Sequence, residues 1–199
     1  MRRWFGILAL TIAPLSAADV DRVDTSIAVP DIHGQVQHPF RATGKAGAAL
    51  VFFITNDCPI SNGYAHEIRR ICDGYSGRAS CTLDYVDPTL TAKDVSKHAA
   101  DYGHGDYPLV IDTSHILVKA AGATVTPEAA LIQPDGKIAY RGRIDDRYFS
   151  LGKARPDATV KDLRSAIDAV LTDRPIETPR TTAIGCFITP LEFFKNVKH

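Results

Sequence analysis

Three things are scarce in this 199-residue chain: net charge, long apolar runs and closely spaced cysteines. Lys+Arg and Asp+Glu both total 23, so the formal net charge is zero. With no basic stripe, neither nucleic acid nor an anionic membrane surface is expected as the main partner. The absence of C-x-x-C argues against a zinc ribbon or knuckle, and the seven histidines form no H-x-H or H-E-x-x-H. No G-x-G-x-x-G or G-x-x-x-x-G-K follows the first buried strand, which excludes dinucleotide and P-loop readings. What is present is globular: 45% hydrophobic residues, 23% charged, and no internal repeat.

The one long apolar run lies at the start. Arg2 and Arg3 precede an apolar stretch over residues 4–15, and Ser16-Ala17-Ala18 offers a small-residue cleavage site. This is the pattern of a secretory signal peptide over residues 1–18, with an uncleaved anchor as the alternative. The run is about a dozen residues, against about 20 for a spanning helix. Its removal takes away two arginines and no acid, leaving a net charge of −2. The mature chain is expected to be exported, to the periplasm or the medium, with no membrane association after cleavage. Residues 19–171 read as one domain and 172–199 as an extended tail, broken by Pro175, Pro179 and Pro190, that carries Cys186.

Ala48–Ile54 is continuously apolar and reads as a central strand buried on both faces. Beyond Cys58-Pro59, the residues Tyr64, Ile68, Ile71, Cys72 and Tyr75 share one helical face, and Pro59 suits a first helical turn. A second strand covers 82–86. Thr91-x-x-Asp94 opens a helix running to Tyr102 and stopped by Gly103. A short strand at 109–111 and a helix over 114–121 follow. Pro134-Asp135-Gly136 joins strands 129–132 and 138–140 as a hairpin. Thr159-x-x-Asp162 reads as the cap of a last helix, with a stripe of Val160, Leu163, Ala166, Ile167, Val170 and Leu171. Arg141 and Arg143 are placed on the solvent faces of the hairpin, and His98 and His104 on exposed surface. A βαβ unit followed by a ββα unit predicts an α/β fold: a mixed sheet with helices on both faces.

Cysteine pairing follows from helix geometry. Cys58 and Cys72 lie fourteen residues apart on one helix, about 21 Å, whereas a disulfide needs Cα atoms within about 7 Å. Cys81 begins the next strand at the far end of that helix, so Cys58–Cys81 is excluded too. Cys72–Cys81 remains as a structural disulfide closing about ten residues, worth roughly 3 kcal/mol in the chain-entropy model.

Cys58 sits where the buried strand turns into a helix, and a helix N-terminus favours thiolate over thiol. Asp57 beside it opposes thiolate formation. Thr126-Pro127 directly precedes the hairpin, where proline marks a special bend. With Val29-Pro-Asp-Ile-His-Gly34, Leu50-Val-Phe-Phe-Ile-Thr-Asn-Asp-Cys-Pro59 and Ala130-Leu-Ile-Gln-Pro-Asp-Gly136, the chain resembles the exported redoxin branch of the thioredoxin superfamily, between its TlpA-type and AhpC/TSA-type members. The resemblance implies a thioredoxin-like fold and a thiol–disulfide oxidoreductase. In it Cys58 attacks, Pro127 is the cis-proline beside it, and Thr126 pairs its backbone with an extended substrate peptide. Thr55 and Pro59 complete the substrate groove. Partners would be thiol or disulfide proteins and a thiol reductant, with no organic cofactor.

The departures are equally informative. Ser61 stands where the resolving cysteine of C-x-x-C belongs, and Asn62 where the second cysteine of a copper-delivering C-x-x-x-C belongs. Thr55 fits the P-x-x-x-T-x-x-C pattern of peroxiredoxins, but Val51 replaces its proline and Thr126-Pro127 replaces its arginine. Cys186 is the candidate to resolve Cys58. Fifteen residues beyond the last helix span up to about 50 Å, enough to reach any face of a domain whose radius of gyration is near 16 Å. Gly185 lets the backbone turn close to a partner. Two alternatives stand beside this reading: an antioxidant thiol peroxidase, and a copper-binding or copper-delivery module using Cys58 and Cys186.

Overall fold

The computed structural model describes residues 22–43, 45 and 47–194; the signal-peptide reading falls outside them. The elements run β1 (Val29–Pro30), β2 (Val36–Gln37), β3 (Ala48–Ile54), α1 (Pro59–Gly74), β4 (Ala79–Tyr85), α2 (Ala92–Tyr102), β5 (Leu109–Ile111) and α3 (Ile116–Ala121). They continue with β6 (Val125–Thr126), β7 (Glu128–Ile132), β8 (Ile138–Gly142), β9 (Tyr148–Ser150), β10 (Lys153–Ala154), α4 (Asp162–Leu171), β11 (Cys186–Phe187) and α5 (Leu191–Phe194).

Five strands form the central sheet in the order β5-β4-β3-β7-β8. β3, β4 and β5 are parallel; β7 runs antiparallel to β3, and β8 antiparallel to β7. Every residue of β3 is buried because the strand lies at the centre of the sheet with helices on both sides. Leu50, Phe52 and Ile54 pack with Ile68 of α1, Val95 of α2 and Ile167 of α4. Val51 and Phe53 pack on the other face with Leu117 and Val118 of α3. The mixed α/β sheet expected from the element order is therefore the one observed.

Both sheet edges are covered. Ile32 N–H donates to Leu109 O beside β5, and residues 179–181 exchange backbone hydrogen bonds with Arg141 beside β8. The tail is thus docked against the domain over part of its length, and among the described residues its last element is the helical turn α5.

Four local expectations are corrected. Thr159 does not cap α4: its N–H and hydroxyl both go to the Asp146 carboxylate, and the helix starts with Lys161 as its cap residue. Val160 is left outside the apolar stripe, half exposed. Arg141 and Arg143 are only partly exposed, because they face the Glu128 and Asp162 carboxylates. His98 is buried, since it shares the inward face of α2 with Val95 and Ala99, and His104 is half-buried.

Cys72 and Cys81 are disulfide-bonded, with Cα atoms 5.8 Å apart. The bond ties the C-terminal part of α1 to β4, at the end of α1 away from Cys58. Replacing both with alanine is expected to lower the unfolding free energy by about 3 kcal/mol in urea titration.

Asp84 is the exception in the core. It is fully buried in β4 between Phe53 and Val110, and neither carboxylate oxygen has a hydrogen-bond partner. Burial, and then the charge of Asp112, push its pKa well above the usual carboxylate range. Asp112 itself accepts the N–H groups of Ile116, Leu117 and Val118 at the start of α3. Because the folded state holds the Asp84 proton more tightly than the unfolded chain, its stabilising share is complete below the unfolded pKa. It is lost as pH rises through the folded value. Asp84→Asn is therefore expected to flatten the fall in stability between acidic and alkaline pH, with a gain of about 1–3 kcal/mol at the alkaline end. Urea titrations across that range measure it, and an unchanged pH slope would contradict it.

Candidate functional site

The antiparallel pairing of β7 on β3 places Phe53 opposite Glu128. The chain leaving β3 and the chain entering β7 therefore lie side by side, which brings Cys58 against Thr126. Cys58 is the N-cap residue of α1, followed by Pro59 at the first turn, where a proline costs no helical hydrogen bond. The Cys58 thiol donates to Thr126 O at 3.2 Å, and the Thr126–Pro127 peptide is cis. Glu128 holds this corner: it accepts Thr124 N–H at 2.8 Å and lies 3.7 Å from Arg141. Its own pKa is raised, chiefly by burial.

β11 lies antiparallel on β6, with Cys186 opposite Thr126 and Phe187 opposite Val125. Ile188 N–H continues the ladder to Thr124 O at 3.0 Å. This register points the Cys186 side chain at Cys58. Of the four predicted groove residues and two predicted redox cysteines, Cys58, Cys186, Thr126 and Pro127 converge. Pro59 lies exposed on the rim. Thr55 does not join them: its hydroxyl donates to Asp57 at 2.9 Å rather than serving the sulfur.

The two thiols are electrostatically unequal. Burial pushes the Cys58 pKa up, but hydrogen bonds from the Cys186 thiol and N–H and from the Ser61 N–H and hydroxyl outweigh it, and the net shift is downward. Ser61 Oγ is buried with no hydrogen-bond partner of its own, and beside the sulfur it adds the smallest of the contributions that favour the Cys58 thiolate. Cys186 is pushed up to about 11 by burial and by the neighbouring Cys58, with Asp57 adding to the effect. One sulfur is thus disposed to be the thiolate and the other its proton donor.

Asn62, one turn into α1, anchors a second network. Its side-chain amide donates to Asn56 O, and its oxygen faces His98 Nε2 at 2.9 Å. That orientation makes Nε2 the protonated nitrogen, leaving Nδ1 to accept from Tyr85. Burial accordingly lowers the His98 pKa. Sequence reasoning missed this role for His98; its three-residue offset from Val95 was the available signal. Among the described residues no group of three or more His, Cys, Asp or Glu side chains is placed to hold a metal ion. Nor is any helix among them long and apolar enough to cross a membrane.

With this geometry in hand, solved structures provide the comparison. A hypothetical protein from Sinorhizobium meliloti aligns over 87% of this chain and 95% of its own, at 28% identity and a TM-score of 0.72. A secreted disulfide oxidoreductase of Mycobacterium tuberculosis aligns over 73% and 96%, at 11% identity and TM-score 0.53. A thioredoxin-like protein from Aeropyrum pernix aligns over 75% and 89%, at 14% identity and TM-score 0.51. The chain has the thioredoxin fold. No protein-family model and no curated protein matches the sequence.

In this thioredoxin fold the Ser61 hydroxyl takes a place beside the sulfur. Ser61→Ala is expected to raise the Cys58 pKa and slow its pulse alkylation at mildly acidic pH by about three- to tenfold, the worth of one hydrogen bond. Cys58 should be labelled ahead of Cys186 in the parent chain. Equal labelling of the two thiols would contradict the asymmetry.

Proposed function

We propose that this protein is an exported thiol–disulfide oxidoreductase in which Cys58 is the attacking thiol and Cys186 the resolving one. The observation that carries the reading is the convergence of two thiols of unequal acidity, one at a helix N-terminus and the other on a strand paired with Thr126. The Cys58 thiolate attacks a substrate disulfide. A Cys58–substrate bond forms, the substrate S–S bond breaks, and one substrate sulfur leaves as thiolate. Cys186 then loses its proton and attacks the Cys58 sulfur, which forms Cys58–Cys186 and releases the second substrate thiolate. Two electrons have passed from the protein to the substrate, and a thiol reductant returns them by the same chemistry in reverse. The low pKa of Cys58 makes it the better leaving group when that reductant arrives.

A structural disulfide between Cys72 and Cys81 agrees with life in an oxidising compartment, as does a leader-like start. The peroxidase alternative lacks an observation of its own, because the Thr55 hydroxyl it would use is bound to Asp57. A copper ion would find only the two sulfurs of Cys58 and Cys186 among the described residues.

The test is Cys186→Ser given a protein disulfide. Cys58 should accumulate as a mixed disulfide visible in intact mass, and turnover should fall at least about tenfold. Unchanged turnover would show that another thiol resolves Cys58.

A further inference from the structure

The strand that brings Cys186 to Cys58 also closes the site. Cys58 is 1% exposed, and the edge of β6 next to it is taken up by β11. Any partner that presents a cysteine to Cys58 along this line meets the same backbone groups of residues 124–126. Residues 185–188 show how a chain fits there, and the fit has a strict requirement. A Cβ added at Gly185 would lie 2.0 Å from Thr126 O and 2.6 Å from Thr126 C. Those atoms belong to backbone that is held between Cys58 and Pro127, so they cannot swing aside as a side-chain end would. The position after the cysteine is undemanding: Phe187 is 84% exposed.

We propose that a cysteine-bearing segment entering the edge of β6 must have glycine immediately before its cysteine, and that residues 185–188 are the displaceable resident of that edge. The inference rests on the attacking role of Cys58 and adds to it a substrate class. A partner strand replaces the tail at β6 and presents its sulfur where Cys186 Sγ now lies. A residue with a side chain before its cysteine cannot enter in this register. The partner strand then peels from β6 with its sulfur still bonded to Cys58, the tail re-pairs there, and Cys186 attacks the Cys58 sulfur, forming Cys58–Cys186 and releasing the partner's thiolate.

The experiment uses the full chain and two five-residue peptides, Ile-Gly-Cys-Phe-Ile and Ile-Ala-Cys-Phe-Ile, each disulfide-bonded to thionitrobenzoate. Attack by Cys58 on the peptide sulfur forms the Cys58–peptide bond, breaks the peptide–thionitrobenzoate bond and releases the coloured thionitrobenzoate anion. A Cys58→Ser chain supplies the background rate. The glycine peptide should react at least about tenfold faster than the alanine peptide. A Gly185→Ala chain, whose tail no longer fits, should take up the glycine peptide faster than the parent does. The parent chain alone carries the peptide comparison should that variant fold poorly.

Equal rates for the two peptides, or no attack on either, would overturn the proposal while the small symmetric thionitrobenzoate disulfide still reacts at Cys58. A folded Gly185→Ala chain no faster than the parent would overturn the resident role of the tail. Failure of the small reagent to react at Cys58 in either chain would remove the attacking role itself, and the proposal with it.

Discussion

The register of β7 on β3 is the constraint on which the site depends. With Phe53 opposite Glu128, the end of one strand and the beginning of the other must share the same rim of the sheet, and that rim is where Cys58 meets Thr126. With both faces of β3 apolar, the register is held by the fit of its side chains on each face rather than by polarity. A one-residue slip would redirect every side chain of the buried strand to the opposite face, moving Phe52 and Phe53 out of the pockets shaped by α1 and α3. The packing of a strand without chemistry of its own thus fixes two groups that carry chemistry.

Against this rigid frame the polar groups of the site are few and specialised. Ser61 and Cys186 both direct donors to the Cys58 sulfur, whereas Asp57 is occupied by Thr55. Glu128, buried beside the ladder, shapes the corner that leads into Thr126 by accepting Thr124 N–H. Asp84 contrasts with these: it lies on the α3 face of the same sheet, buried and without a hydrogen-bond partner. Burial therefore yields a supporting carboxylate at Glu128 and an unsatisfied one at Asp84, and the difference lies in the backbone N–H groups available nearby.

Much of the frame was legible in the sequence because local signals agreed with the tertiary solution. Ala48–Ile54 read as one buried strand and forms one. Thr91 and Asp94 form the reciprocal cap that their spacing implied, and the turn at Asp135-Gly136 joins β7 to β8. The cap at Thr159 failed because Asp146, thirteen residues away in sequence, drew its hydroxyl from α4, an approach that depends on a folded loop and leaves no spacing to read. Thr55 turned instead to Asp57, two residues on, a short-range competitor that spacing alone does not rank against the sulfur. For Cys186 the sequence offered only a tail long enough to reach any face. Its register opposite Thr126 is set by backbone pairing and by close approach at Gly185, neither of which leaves a periodic pattern to read.

The covering of the two sheet edges has a further consequence. Residues 31 and 32 lie along β5, and residues 179–181 of the tail lie along β8. The sheet therefore ends in pairing supplied by segments outside it, rather than in rows of open amide and carbonyl groups. Such rows are templates for a strand from another molecule. The flanking segments thus block edge-to-edge addition, and because they also contribute side chains such as Val23, Phe40 and Ile184 to the packing, edge protection and core packing are lost together when either is removed.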